Sequence, residues 1–127
     1  MLCLNSFNMN AKFLVIEDYS SQYEEPLKLK AGEVVKTGRR FTEDPEWPGW
    51  IWCENSSGKG GWVLERILNI SDNDGVVLDN YNASELSARA GEIIEGVKKE
   101  GGWIWGVNPQ GVSGWIPERN VKLFNGD

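Results

Sequence analysis

The sequence predicts an all-β protein made of two small five-stranded barrels in tandem. Three observations predict it: a two-copy internal repeat, short runs of β-forming residues punctuated by glycine, and no amphipathic helix of useful length. Gly49-Trp50-Ile51-Trp52-Cys53 recurs as Gly102-Trp103-Ile104-Trp105-Gly106, and Gly61 to Arg66 recurs as Gly114 to Arg119, both at an offset of 53. Leu27 to Glu33 matches Leu86 to Glu92 at an offset of 59, and Asp18-Tyr19 matches Asn80-Tyr81 at 62. Four matched blocks in one order define two copies of one module, and the changing offsets place length differences in loops. Module one covers 11–70 and module two 75–124, after a ragged or disordered segment over 1–10.

Within each copy the elements follow in order. Phe13 to Ile16 and Val76 to Leu78 are apolar opening strands. Gly32-Glu33-Val34-Val35 and Gly91-Glu92-Ile93-Ile94 enter a second strand from a turn glycine. Trp-Ile-Trp follows, then a polar turn bearing glycine (Asn55 to Gly60, Asn108 to Gly111), then a returning Gly-Trp strand. Leu86 to Glu100 is apolar enough to suggest a helix, but Ala90-Gly91 and Gly96 oppose one. A module of this size buries its core incompletely, so docking of the two would help, and the connection Ser71 to Gly75 is too short for free tumbling.

Composition narrows the function. The 127 residues include no histidine, which removes Ser-His-Asp and Cys-His catalysis and imidazole metal ligands. A net charge of −6 repels a nucleic-acid backbone. Cys3 and Cys53 form no CxxC, and the expected state is a reducing compartment with a small buried thiol at Cys53. MLCLNSFNMN has no basic residue or long apolar run, so it is a poor signal peptide, and translation could start at Met1 or Met9. No stretch approaches the roughly 20 apolar residues of a spanning helix. These readings imply a soluble, cytoplasmic chain with no cofactor, metal, nucleic-acid or membrane partner.

Both copies resemble Src-homology-3 (SH3) domains, and the resemblance covers nearly the whole chain. Val15-Ile16-Glu17-Asp18-Tyr19 and Val77-Leu78-Asp79-Asn80-Tyr81 stand where that family opens with Ala-Leu-Tyr-Asp-Tyr. Pro26 to Glu33 and Glu85 to Glu92 match its Glu-Leu-Ser-Phe-Lys-x-Gly-Asp block. The resemblance implies a groove for extended, stiff proline-rich peptides, with acidic residues of the first long loop pairing a ligand Arg or Lys. It places Tyr19, Trp50 and Trp62 in the groove of copy one, and Tyr81, Trp103, Trp115 and Pro117 in that of copy two. Glu17 and Asp79 replace one family tyrosine, Ile67 and Asn120 replace another, and Leu64 replaces the groove proline in copy one. Copy one carries Tyr23, Glu24 and Glu25 in its loop and keeps more of the ligand-reading residues. Its insertion after Thr37 adds Glu43, Asp44, Glu46 and Trp47, either a pocket for a basic residue or a solvated acidic face.

Alternation along strands places Trp50 and Trp52 on one face, opposite Ile51 and Cys53, with Trp62 joining them. Trp103, Trp105 and Trp115 repeat the triplet. Three outward tryptophans exceed the apolar patch a monomer tolerates, so a surface should cover them. Trp52 and Trp105, at a place usually polar in the family, are candidates for an interface between modules or with a partner.

The leading expectation is a non-catalytic module that binds a protein or peptide, an extended and proline-rich segment included. The alternatives are a structural or regulatory tandem whose tryptophan faces pack on each other, and a bacterial cell-wall-binding SH3-like module. An enzyme is not expected: Glu54 and Glu65 are charged strand residues with nothing to place them in a cleft.

Overall fold

A computed structural model describes residues 11–125. The segment 1–10, with Cys3 and the alternative start at Met9, lies outside the described residues. The described chain is all-β, with twelve strands. They are β1 (Ala11–Val15), β2 (Lys28–Leu29), β3 (Val34–Arg40), β4 (Trp50–Glu54), β5 (Gly60–Leu64) and β6 (Leu68–Ser71). There follow β7 (Asp74–Val77), β8 (Tyr81–Asn82), β9 (Ile93–Glu100), β10 (Trp103–Val107), β11 (Ser113–Pro117) and β12 (Val121–Leu123). Single 3₁₀ turns, Glu65–Ile67 and Glu118–Asn120, lead into β6 and β12. Leu86 to Glu100 is not helical; its second half is β9, whose buried Gly96 lets another strand's side chain approach closely.

The turn between the Trp-bearing strands forms as its residues require. Asn55 Oδ1 accepts from the amides of Ser57 and Lys59, and Gly58 takes φ +83°. In copy two Asn108 Oδ1 accepts from Gln110 and Val112, with Gly111 at φ +85°. An Asx side chain and a left-handed glycine are the residues such a turn needs.

Two compact units result, and their limits differ from those of the repeats. Glu25–Ser84 forms one, here the continuous unit. The described residues up to Glu24 and those from Glu85 onward form the other, the split unit. The split unit holds a sheet of order β11-β10-β9-β1-β12, and the continuous unit one of order β5-β4-β3-β7-β6 plus the β2-β8 pair. Neither five-stranded sheet is closed, which corrects the expectation of barrels. In each, a three-residue 3₁₀ turn carries the chain from one edge strand to the other, with no ladder joining those edges.

The opening strands are exchanged between the copies. β1, from copy one, lies between β9 and β12 of copy two; β7, from copy two, lies between β3 and β6 of copy one. Two physical causes are visible. First, the expected connection between modules is a hairpin: only Asp72 and Asn73 separate β6 from β7, and Asp72 takes φ 56°, a conformation Asp tolerates. β7 must therefore pair with β6, and it fills the site that β1 would otherwise take. Second, side-chain sizes match only in the exchanged arrangement. The Phe13 ring lies where a Cβ at Gly96 would be, whereas at the equivalent place Gly75 faces Thr37, whose Cγ2 is 3.2 Å from a Cβ built on Gly75. Without exchange Phe13 would meet Thr37, an overpacked contact, and Gly75 would meet Gly96, leaving a void; both are destabilising.

Each unit has its own core. In the split unit Val15 packs with Leu86, Ala88, Ile94, Ile104, Ile116 and Val121, flanked by Phe13 and Tyr19. In the continuous unit Leu27, Val35, Ile51, Val63, Ile67 and Val77 are buried. Cys53 is buried there as a free thiol, and burial pushes its pKa up to about 11.

Candidate functional site

Strand exchange redistributes the candidate site residues. Tyr19, Tyr23 and Glu24 of copy one join Trp103, Trp115 and Pro117 of copy two in the split unit, while Glu25, Trp50 and Trp62 join Tyr81 in the continuous unit. Tyr19 and Trp50 therefore belong to different units, and so do Tyr81 and Trp103. The acidic loop is divided as well, with Glu24 and Glu25 falling in different units.

In the split unit the site grows from three strands. Trp103 on β10 and Pro117 on β11 are cross-strand partners, so their side chains share one face. The segment that follows β1 brings in Tyr19, whose ring meets Trp103 edge-on at 5.7 Å with an interplanar angle of 82°. Pro117 is buried, Tyr19 and Trp103 are half-buried, and Tyr23 and Glu24 are exposed. Tyr19 is held from both sides: its backbone pairs with Ala88, and its hydroxyl donates to Glu85 Oε1 at 2.7 Å. The Gln22 amide donates to the same oxygen at 2.8 Å, and the Ser21 amide to Ser87 Oγ at 2.8 Å. Asn120, in place of the family's closing tyrosine, is buried and donates its amide to the Glu17 and Asp18 carbonyls (3.3 and 3.1 Å). Its role is to fasten the incoming chain of copy one.

These contacts set the electrostatics. Burial, then the Glu85 hydrogen bond, raises the Tyr19 hydroxyl well above its ordinary pKa, so it stays a neutral donor. Burial also raises the Glu85 carboxyl, opposed by the bonds from Gln22 and Tyr19. An open cavity of about 200 Å³ lies beside this loop, lined by Asp18, Tyr19, Ser20, Ser87, Ala88, Arg89 and Glu92. Arg89 approaches Asp18 at 3.9 Å across it, an exposed and weak pair.

The corresponding place in the continuous unit is shut. Trp50 is 7% exposed and Tyr81 9%, and the Tyr81 hydroxyl is engaged by the Trp62 carbonyl at 2.9 Å. The backbones of Tyr81 and Leu29 pair much as those of Tyr19 and Ala88 do, so the two units differ in surroundings rather than in plan. Glu25 pairs with Lys59 at 3.7 Å.

The tryptophan faces are covered from within. Trp52 stacks edge-to-face on Trp62 (5.2 Å), with the Arg39 guanidinium 5.1 Å from the Trp62 ring. Trp105 stacks on Trp115 (5.4 Å) under Lys98 Nζ at 5.6 Å. Trp115 is only 3% exposed. Alternation correctly puts Ile51 and Cys53 inside, yet the outward face is not an open apolar patch. The cations could have been read from the sequence, since Arg39 and Lys98 are equivalents in the two copies. The long insertion adds Phe41, which meets Trp62 at 5.2 Å and Trp47 at 5.9 Å. Of its carboxylates, Glu43 pairs with Arg39 at 2.6 Å and Asp44 caps the Glu46 amide, so these two are engaged within the loop.

Among the described residues no helix is long and apolar enough to cross a membrane. No curated protein and no solved structure matches the chain significantly. The family described as variant SH3 domain matches twice, over residues 12–70 and 75–124. SH3-like domains generally mediate protein–protein interaction and are typically non-catalytic. Two matches that together span most of the sequence, on two sheets of one plan, make this chain a member of the variant SH3 domain family.

Proposed function

We propose that the chain is a non-catalytic binding protein whose split unit takes an extended peptide segment, while the continuous unit is a structural support. The observation that carries this reading is the half-buried Tyr19–Trp103 pair beside Pro117, against the shut Trp50–Tyr81 site. Two half-buried rings in edge contact present the kind of rigid aromatic surface on which a stiff, proline-rich chain docks with little loss of entropy. Exposed Tyr23 and Glu24 stand on the loop that follows Tyr19 and supply contacts for a basic flanking residue. A reducing, cytoplasmic setting fits the free thiol of Cys53.

The test is a titration of the full chain with proline-rich peptides carrying a flanking arginine, followed by NMR on the tryptophan indoles. Perturbation of Trp103 and of residues 19–24, with Trp50 unmoved, is the expected result. Trp103→Ala should then weaken binding about 30-fold, the effect of losing a buried aromatic anchor. No perturbation by any peptide, or perturbation centred on Trp50 and Tyr81, would overturn the proposal.

A further inference from the structure

We infer that the slot between β9 and β12 is an acceptor for β1 of a second copy of this chain, so the protein forms a strand-exchanged dimer. The inference does not depend on peptide binding. Three observations carry it. β1 is an internal strand, paired on both edges, yet it comes from outside the continuous stretch that supplies the rest of its sheet. The continuous unit is complete without it, since Glu25–Ser84 contains all strands of its own sheets. The slot is also selective: Gly96 leaves room for the Phe13 ring, and β7, with Gly75 at the matching place, would leave that room empty. Among the described strands only another β1 fits.

A closed monomer and an exchanged dimer contain the same contacts of residues 11–22 with the split unit and differ in the path of the chain around Glu24 and Glu25, where one unit gives way to the other. The balance is therefore set by the effective concentration of β1 on its own chain, on the order of millimolar for a short flexible tether. In the dimer the groove is shared as well, with Tyr19 from one copy against Trp103 from the other.

The experiment uses the full chain carrying Leu14→Cys and Lys122→Cys, a register pair across β1 and β12, in a Cys3→Ser background. Paired strand residues lie within disulfide reach. After refolding at a series of concentrations and oxidation, a disulfide-linked dimer on non-reducing gels should rise severalfold in share as the concentration approaches roughly millimolar. Linked species that stay monomeric at every concentration would overturn the inference, even if a non-covalent dimer formed. A second measurement guards against a folding defect: labelled and unlabelled wild-type chains are refolded together at roughly millimolar concentration, then diluted and examined by native mass spectrometry. Mixed dimers that persist for hours after dilution support exchange; no dimer, or dimers that reshuffle within seconds, contradicts it.

Discussion

The continuous and split units share one plan but differ in what their equivalent residues do. Both have a Trp–Trp ladder under a cation, and both have a tyrosine-bearing segment laid against the neighbouring chain. In the continuous unit the insertion adds Phe41 and Trp47 to the ladder, and the groove residues Trp50 and Tyr81 are buried. The split unit lacks that insertion, and its Tyr19 and Trp103 stay half-open. Under the proposed function, two copies of one module divide the work between a support and a binding site. Strand exchange brings Tyr19, Tyr23 and Glu24 of copy one into the unit that holds Trp103 and Pro117 of copy two, and leaves Glu25 in the other.

The largest expected effect breaks one unit and spares the other. Val15→Asp puts an unpaired charge into the split unit's core, at a cost of about 3–5 kcal/mol. The indole signals of Trp103, Trp105 and Trp115 should collapse in an ¹H–¹⁵N spectrum while those of Trp50, Trp52 and Trp62 remain dispersed. Val77→Asp should do the reverse, although Val77 lies in copy two of the repeat.

Next comes the size match across the exchanged strands. Gly96→Ala should destabilise by about 1–3 kcal/mol through overpacking against Phe13, measured by urea denaturation. Combined with Phe13→Ala, the loss should be clearly smaller than the sum, whereas Phe13→Ala and Thr37→Ala should add.

The two tyrosines offer a third contrast. Tyr19→Phe removes a charge-assisted bond to Glu85 and should cost about 1.5–3 kcal/mol; Tyr81→Phe removes a neutral bond to a carbonyl and should cost about 1 kcal/mol. The same site gives a pH signature. The Glu85 pKa is raised on folding, so the native state holds that proton more tightly and the group's contribution to stability is full below its unfolded pKa. That contribution falls as pH rises from the ordinary carboxylate range through the folded value. Glu85→Gln should remove this component from the difference in stability between about pH 4 and pH 7.

The smallest contrast is on the surface. Arg40 donates to both Glu65 oxygens at 2.8 Å, while its equivalent Lys99 reaches Glu118 through one contact at 3.1 Å. Double-mutant cycles should give a larger coupling for the bidentate arginine pair, with both weakening in salt.

Much of the fold was legible from residues. The 53-residue offset located equivalent strands, the glycine turns located their ends, and Gly96 ruled out a helix. The aromatic ladder followed from alternation. Strand exchange was not legible by motif matching, because each copy carries a full set of motifs and nothing in a motif says which copy it folds with. The information was present elsewhere. Asp72-Asn73 leaves only a hairpin between β6 and β7, and Phe13 with Gly96, against Gly75 with Thr37, fixes the pairing by size. For the same reason the candidate groove residues were grouped by copy, whereas the two units group them across copies. Glu85 and Asn120 were missed as positioning residues because their roles depend on segments far away in the chain.

The central claim is that β1 of copy one completes the sheet of copy two, and contacts of the Phe13 ring test it most directly. In an NOE spectrum of the full chain, Phe13 ring protons should show strong cross-peaks to the Gly96 Hα protons and to Ile94. Cross-peaks from Phe13 to Thr37 and Val35 instead, with none to Gly96, would mean that each copy folds with its own first strand and would contradict the exchanged topology.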